Sequence, residues 1–303
     1  MVGVLLPGPR HPRPDRRLLP AGRCAVRPYR SAAAAMTVPL LRVDGLGGAF
    51  RRRDGGLTPV LHDVSFALQP GCITAVVGET GSGKSLTALT ILGLQPSAFV
   101  RRSGRILFAG QDLLALPPSA MRAVRGRRIS MVFQDARAAL NPVFSVGAQL
   151  ADVHRLQHGG SARAAWDAAV EALRRVRIPE AERRARQYPH EFSGGMAQRA
   201  MIAMAALVCT PALLILDEPT TGLDVTIQSD IMELIVELCR DRGLTACLIT
   251  HDLGVVAESC EEVVVMNAGR VVETGTTEAI FTRPQQPYTR RLLAASRLDA
   301  AAA

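Results

Sequence analysis

Ile73-Thr74-Ala75-Val76-Val77-Gly78-Glu79-Thr80-Gly81-Ser82-Gly83-Lys84-Ser85 is an apolar run that breaks into alternating glycines and closes on a lysine and a serine. The apolar stretch Leu86–Leu92 follows at helical spacing. Strand, loop and helix in that order carry the pattern GxxxxGK[ST], and chemistry accounts for each position. Glycines permit the positive φ angles that turn successive backbone N–H groups inward around phosphate oxygens. The helix N-terminus adds partial positive charge. Lys84 is a point charge for β- and γ-phosphates, and Ser85 offers a hydroxyl to Mg²⁺. Gly78 to Ser85 thus form the candidate phosphate site.

Outward from this stretch, short apolar runs alternate with amphipathic ones from about Pro39, the pattern of an α/β domain. Strands are expected at Leu40–Val43, Val64–Ala67, Ile73–Val77, Gly104–Phe108, Ile129–Phe133, Leu213–Leu216, Ala246–Thr250, Val263–Asn267 and Arg270–Glu273. Near-continuous apolar runs such as Ile73–Val77 and Leu213–Leu216 suit strands buried on both faces of a parallel sheet. From about 146 to 206 the β pattern lapses. Trp166, Val170, Leu173 and Val176 there fall on one helical stripe, so this stretch reads as a helical subdomain inserted between two core strands.

Leu213-Leu214-Ile215-Leu216-Asp217-Glu218 ends a buried strand in two carboxylates, which need a counter-charge or a metal. With a phosphate loop in the same chain, Asp217 is assigned to the Mg²⁺ shell. Glu218 is assigned as general base for the attacking water.

Phe192-Ser193-Gly194-Gly195-Met196, with Gln198 shortly after, lies between the phosphate loop and this acidic strand and resembles the signature motif of ABC ATPases. Gln134 resembles that family's Q-loop glutamine, a Mg²⁺ and water contact. Thr221-Gly222-Leu223-Asp224 resembles its D-loop, and His251 its switch histidine at the γ-phosphate. Phe50 is the candidate for stacking on adenine. The resemblance covers about residues 38–295. It implies a P-loop NTPase core of ABC type, in the α/β class, with a peripheral antiparallel β piece and the inserted helical subdomain. It further implies ATP and Mg²⁺ as ligands, with Ser193, Gly194, Gly195 and Gln198 facing the ATP of a second cassette.

Leu140-Asn141-Pro142 and Pro287-Tyr288-Thr289 with Leu292-Leu293 are similar to elements of the dipeptide, oligopeptide and nickel importer ATPases. Gln286 and Ala136 depart from that subfamily's usual His and Pro. The subfamily resemblance implies an ATPase that powers uptake of peptides, nickel or a similar small solute at the cytoplasmic face of the cell membrane. It implies two permease subunits, a heterodimeric rather than homodimeric pair of cassettes, and an extracytoplasmic solute-binding protein acting indirectly. The alternative is a soluble ABC ATPase acting on nucleic acid or ribosomes. About 59 residues between Gln134 and Ser193 leave no room for a long coiled-coil insertion, and the six cysteines form no CxxC pair, so no nucleic-acid partner is expected.

The net charge of +9 is concentrated at the start of the chain: residues 1–36 hold seven Arg against Asp15 alone. This Pro-rich segment lacks periodicity. It reads as a basic leader outside the fold: an untranslated stretch ahead of a true start at Met36, a disordered arm, or a transit peptide. Residues 296–303 are expected to fray.

Overall fold

The computed structural model describes residues 38–302, with side chains given as far as Ser296. The basic leader lies outside the described residues. Ten strands are described: β1 (Leu41–Arg51), β2 (Leu57–Leu68), β3 (Ile73–Val77), β4 (Phe99–Phe108), β5 (Gln111–Asp112), β6 (Ile129–Val132), β7 (Leu213–Asp217), β8 (Thr245–Ile249), β9 (Glu262–Asn267) and β10 (Arg270–Thr276).

They form two sheets. One has six strands in the order β10-β9-β3-β8-β7-β6, in which β9, β3, β8, β7 and β6 run parallel and β10 returns antiparallel. Every residue of β3, β7 and β8 is buried. Alternation then divides each strand between two cores. Leu214 and Leu216 enter the core shared with the helices after β6, whereas Leu213 and Ile215 enter the core beneath the other sheet.

The second sheet is antiparallel, in the order β2-β1-β4-β5. Its first two strands are longer than the apolar pattern indicates. Asp44-Gly45-Leu46-Gly47-Gly48 looks like a break, yet register shifts at Leu46 and Gly48 carry β1 through it as bulges. Gly48 is bare because the Phe99 ring lies on it: a Cβ would stand 2.1 Å from that ring. Phe99 in turn meets Phe50 edge-on at 5.7 Å between ring centroids.

Helices are α1 (Lys84–Ile91), α2 (Pro118–Val124), α3 (Ala136–Ala139), α4 (Val146–His158), α5 (Ala162–Arg175), α6 (Ala181–Ala185), α7 (Gly194–Ile202), α8 (Val225–Arg242), α9 (Leu253–Ser259), α10 (Thr277–Thr282) and α11 (Pro287–Ala302). From α3 to α7, and on through a π-helical turn at Ala203–Val208, the chain is helical between β6 and β7. Ser145 and Ser161 start α4 and α5 by accepting the N–H groups of Ala148 and Ala164. On α5 the residues Ala169, Val170 and Leu173 are buried and Trp166 is half-buried against the same core, while Arg163, Glu171 and Arg174 face outward. Helix α11 runs on through the stretch expected to fray, as far as Ala302.

Cys209, Cys239, Cys247 and Cys260 are free and buried, and Cys72 is free and half-buried. No helix of the described residues is long and apolar enough to cross a membrane.

Candidate active site

The phosphate loop leaves β3 at its C-terminal end and enters α1 within six residues, at the edge of a parallel sheet where ligands of such folds collect. Gly78 has φ +149°, and a Cβ there would lie 2.1 Å from the Met266 carbonyl of β9. Gly83, at φ +99°, starts α1 in the left-handed region that favours glycine. Lys84 is only 6% exposed. Its Nζ donates to the carbonyls of Gly78 (2.7 Å) and Glu79 (3.0 Å) and lies 3.4 Å from Ser82 Oγ. Burial lowers the pKa of this ammonium, against the opposing pull of Glu218 and Asp217.

Ser85 Oγ donates to Asp217 Oδ1 at 2.8 Å, tying the start of α1 to the end of β7. Asp217 is 7% exposed. Burial raises its pKa; the Ser85 hydroxyl opposes that rise and the charge of Glu218 adds to it. A hydroxyl and a buried, under-compensated carboxylate form the hard-oxygen donor pair that suits a divalent cation such as Mg²⁺.

Glu218 has φ +46°, an unusual backbone state for a residue with a side chain and one that clusters at functional sites. Its N–H donates to the Ile249 carbonyl at 2.9 Å, joining the ends of β7 and β8. Its carboxylate is held from several sides. Gln134 Nε2 (3.1 Å) and Thr221 Oγ1 (2.9 Å) donate to Oε2, and His251 Nδ1 lies 3.4 Å from Oε1. Glu218 is 17% exposed and His251 62%, so the acid is inside the cleft and the imidazole at its mouth. A cavity of about 450 Å³ runs from Phe50 and Val60 past Thr80, Gly81 and Lys84 to Gln134 and Glu218.

The residues expected to face a second cassette do not line this cavity. Ser193 Oγ accepts the Met196 N–H at 3.2 Å as N-cap of α7. A Cβ on Gly194 would approach Leu223 to 3.2 Å, and one on Gly195 would reach Ile227 at 2.8 Å, so the head of α7 is packed on the turn that starts α8. Asp224 is the N-cap residue of α8, with its carbonyl taking the Gln228 N–H at 2.9 Å. A second cavity, of about 400 Å³, is lined by Gln134, Arg137, Gly194, Gln198 and Thr221 among others. Gln198 is 4% exposed, and its Nε2 has no hydrogen-bond partner among the described residues. Gln134 lines both cavities.

Two contacts escaped the sequence reading, one made by Thr221 of the D-loop-like stretch and one by Arg137. Thr221 grips the Glu218 carboxylate, and its signal was its place three residues on in a turn closed by Thr221 N–H to Glu218 O at 3.2 Å. Arg137 donates to the Phe192 carbonyl at 2.6 Å, joining the segment after Gln134 to the head of α7; nothing in the local sequence announces this long-range bond.

The family model described as "ABC transporter" matches residues 61–221. A Brucella melitensis protein named for peptide import ATP binding is 49% identical over 262 residues, covering 84% of this chain and 77% of its own. A Sinorhizobium fredii protein named as an ATP-binding protein of a peptide ABC transporter is 52% identical over 239 residues, covering 78% of this chain and 71% of its own. The solved structure of cbiO1 from Clostridium perfringens, part of the ABC transporter complex cbiONQ, superposes with a TM-score of 0.68 at 30% identity. It covers 86% of this chain and 99% of its own.

Proposed function

The chain belongs to the ABC transporter family, and on that premise we propose that it is the ATP-hydrolysing subunit of a peptide importer. The observation that carries the hydrolytic part is the Glu218 carboxylate, held by Gln134 and Thr221 beside Lys84, Ser85 and Asp217 in one cleft. Adenine stacks on Phe50 at one end of the cavity, and the loop N–H groups with Lys84 take the phosphates at the other. Ser85 and Asp217, with Gln134, would hold Mg²⁺, whose charge would offset that of the phosphates. Glu218 accepts the proton of the attacking water, with Gln134 and Thr221 fixing the carboxylate and His251 reaching the γ-phosphate from the mouth.

Ser193, Gly194, Gly195 and Gln198, with Asp224 beside them, serve the nucleotide of a second cassette. The unpaired, buried Gln198 amide next to an open cavity supports this reading, because a buried donor without a partner is costly unless something completes it. The partner is a different cassette rather than a second copy. The pair sits peripherally on two permease subunits at the cytoplasmic face, and an extracytoplasmic solute-binding protein delivers cargo. The peptide assignment rests on what the relatives are named for.

Glu218→Gln tests the core of this proposal, since an amide cannot take the proton. The variant should bind ATP like the wild type, lose roughly 10²- to 10⁴-fold in turnover, and form an ATP-dependent dimer with its partner cassette on size exclusion. Turnover near wild type with no dimer would sink the assignment. Peptide uptake by cells lacking the chain, restored by wild type and not by this variant, tests the cargo.

A further inference from the structure

Helix α11 begins where the chain returns to the phosphate loop. Tyr288, in its first turn, is 8% exposed and belongs to the same core as Val77 and Leu216. Its hydroxyl accepts the Glu79 backbone N–H at 3.2 Å. We infer that Tyr288 is a positioning residue for nucleotide binding, which orients the Gly78–Glu79 peptide and through it the Lys84 ammonium.

The argument rests on the planarity of one peptide. The Gly78 carbonyl and the Glu79 N–H belong to the same rigid trans unit and point in opposite directions. Tyr288 holds the N–H end, and Lys84 Nζ is bonded to the carbonyl end at 2.7 Å. Rotation of that plane therefore moves the lysine's main anchor. On the other side the Met266 carbonyl of β9 leaves no space at Gly78. The plane is thus boxed between β9 and Tyr288.

Tyr288 is itself well anchored. The Glu273 carboxylate of β10 accepts the N–H groups of Gln285 (2.7 Å) and Gln286 (3.0 Å) just ahead of α11. Arg290 donates to the carbonyls of Pro284 (3.0 Å) and Gln285 (3.1 Å). Burial of Glu273 is outweighed by the nearby Thr289 side chain, by these two N–H groups and by Arg290, which together hold its pKa below the ordinary value. A phenylalanine would fill the space of the tyrosine ring equally well. The hydroxyl adds its contacts with Glu79, the N–H bond and the carboxylate beside it, so its contribution is the orientation of the loop, and a loop already ordered binds phosphate with less loss of freedom.

This inference rests on Lys84 being the phosphate ligand, so Lys84→Ala is run beside Tyr288→Phe on the full chain. ATP affinity, KM, kcat and the melting temperature of the nucleotide-free protein are measured for both. Removing one neutral hydrogen bond should weaken ATP binding by roughly 3- to 10-fold. KM should rise in step, while kcat and the nucleotide-free melting temperature stay at wild-type values. ATP affinity unchanged in Tyr288→Phe, with Lys84→Ala unable to bind, would overturn the inference and leave the phosphate-loop reading intact. A fall in nucleotide-free stability matching the loss of affinity would also overturn it, since Tyr288 would then be core packing alone. Wild-type binding by Lys84→Ala would overturn the phosphate-loop reading itself, and this inference with it.

Discussion

Lys84 and Asp217 are buried charges pushed towards neutrality, the lysine with its pKa lowered and the aspartate with its pKa raised, burial being the main cause for both. Each lacks enough compensation within the chain, and ATP with the proposed Mg²⁺ would supply what is missing. Lys84→Ala should therefore abolish productive ATP binding, which nucleotide titration of the purified variant checks. Asp217 has a consequence for stability as well. A carboxyl whose folded pKa is raised favours the folded state below its ordinary range, and that contribution is lost as pH rises through the raised value. At neutral pH, Asp217→Asn removes a charge whose burial outweighs the help of Ser85 and Lys84, and keeps an oxygen for Ser85. The nucleotide-free protein should melt higher, within the roughly 0.5–2 kcal/mol that single stabilising substitutions deliver. Mg²⁺-dependent turnover should collapse in the same variant. Thermal melts across pH and an ATPase assay read both effects; a lower melting temperature at neutral pH would contradict the argument.

On the proposed function, the element that would decide how two cassettes cooperate is α7. Its head is packed on Leu223 and Ile227 and tied through Phe192 to Arg137, which joins it to the Gln134 segment and to the turn into α8. Gly194→Asp would set a carboxylate at the mouth of the second cavity, opposite the position proposed for a partner's ATP. ATP affinity of the isolated chain should be nearly unchanged, because Gly194 does not line the cavity of Lys84. ATPase activity of the assembled complex should fall by orders of magnitude. Monomer affinity falling as steeply as in Lys84→Ala would mean that α7 reads its own nucleotide. Arg137→Ala should show a weaker form of the same split, with coupling lost and binding kept.

At the scale of the molecule, the parallel sheet was legible because β3 and β7 carry apolar residues on both faces, a pattern that short sequence windows expose. The antiparallel sheet was legible only in part. Its bulged glycines look like breaks, and β2 begins on exposed residues such as Leu57, Thr58 and Pro59, which carry no alternation. The site divided similarly. Lys84, Ser85, Asp217 and Glu218 announced themselves because each sits at the end of a regular element, where motif and geometry coincide. Thr221, Arg137 and Tyr288 did not, because their roles depend on which strands and helices end side by side, and that is a property of the folded chain.

The buried cysteines have a practical side. Burial pushes the thiols of Cys239 and Cys247 up to about 12 and raises those of Cys72, Cys209 and Cys260, so thiolate is scarce at neutral pH. These five should react slowly with maleimide under native conditions and quickly after denaturation, which mass spectrometry of the modified peptides would resolve. With Cys24 of the leader replaced by serine, a single cysteine placed at an exposed position such as Val143 or Val225 would then stand out against these five slow thiols. Fluorophores attached there and on a partner cassette would turn nucleotide-driven closure into a distance that can be followed one molecule at a time.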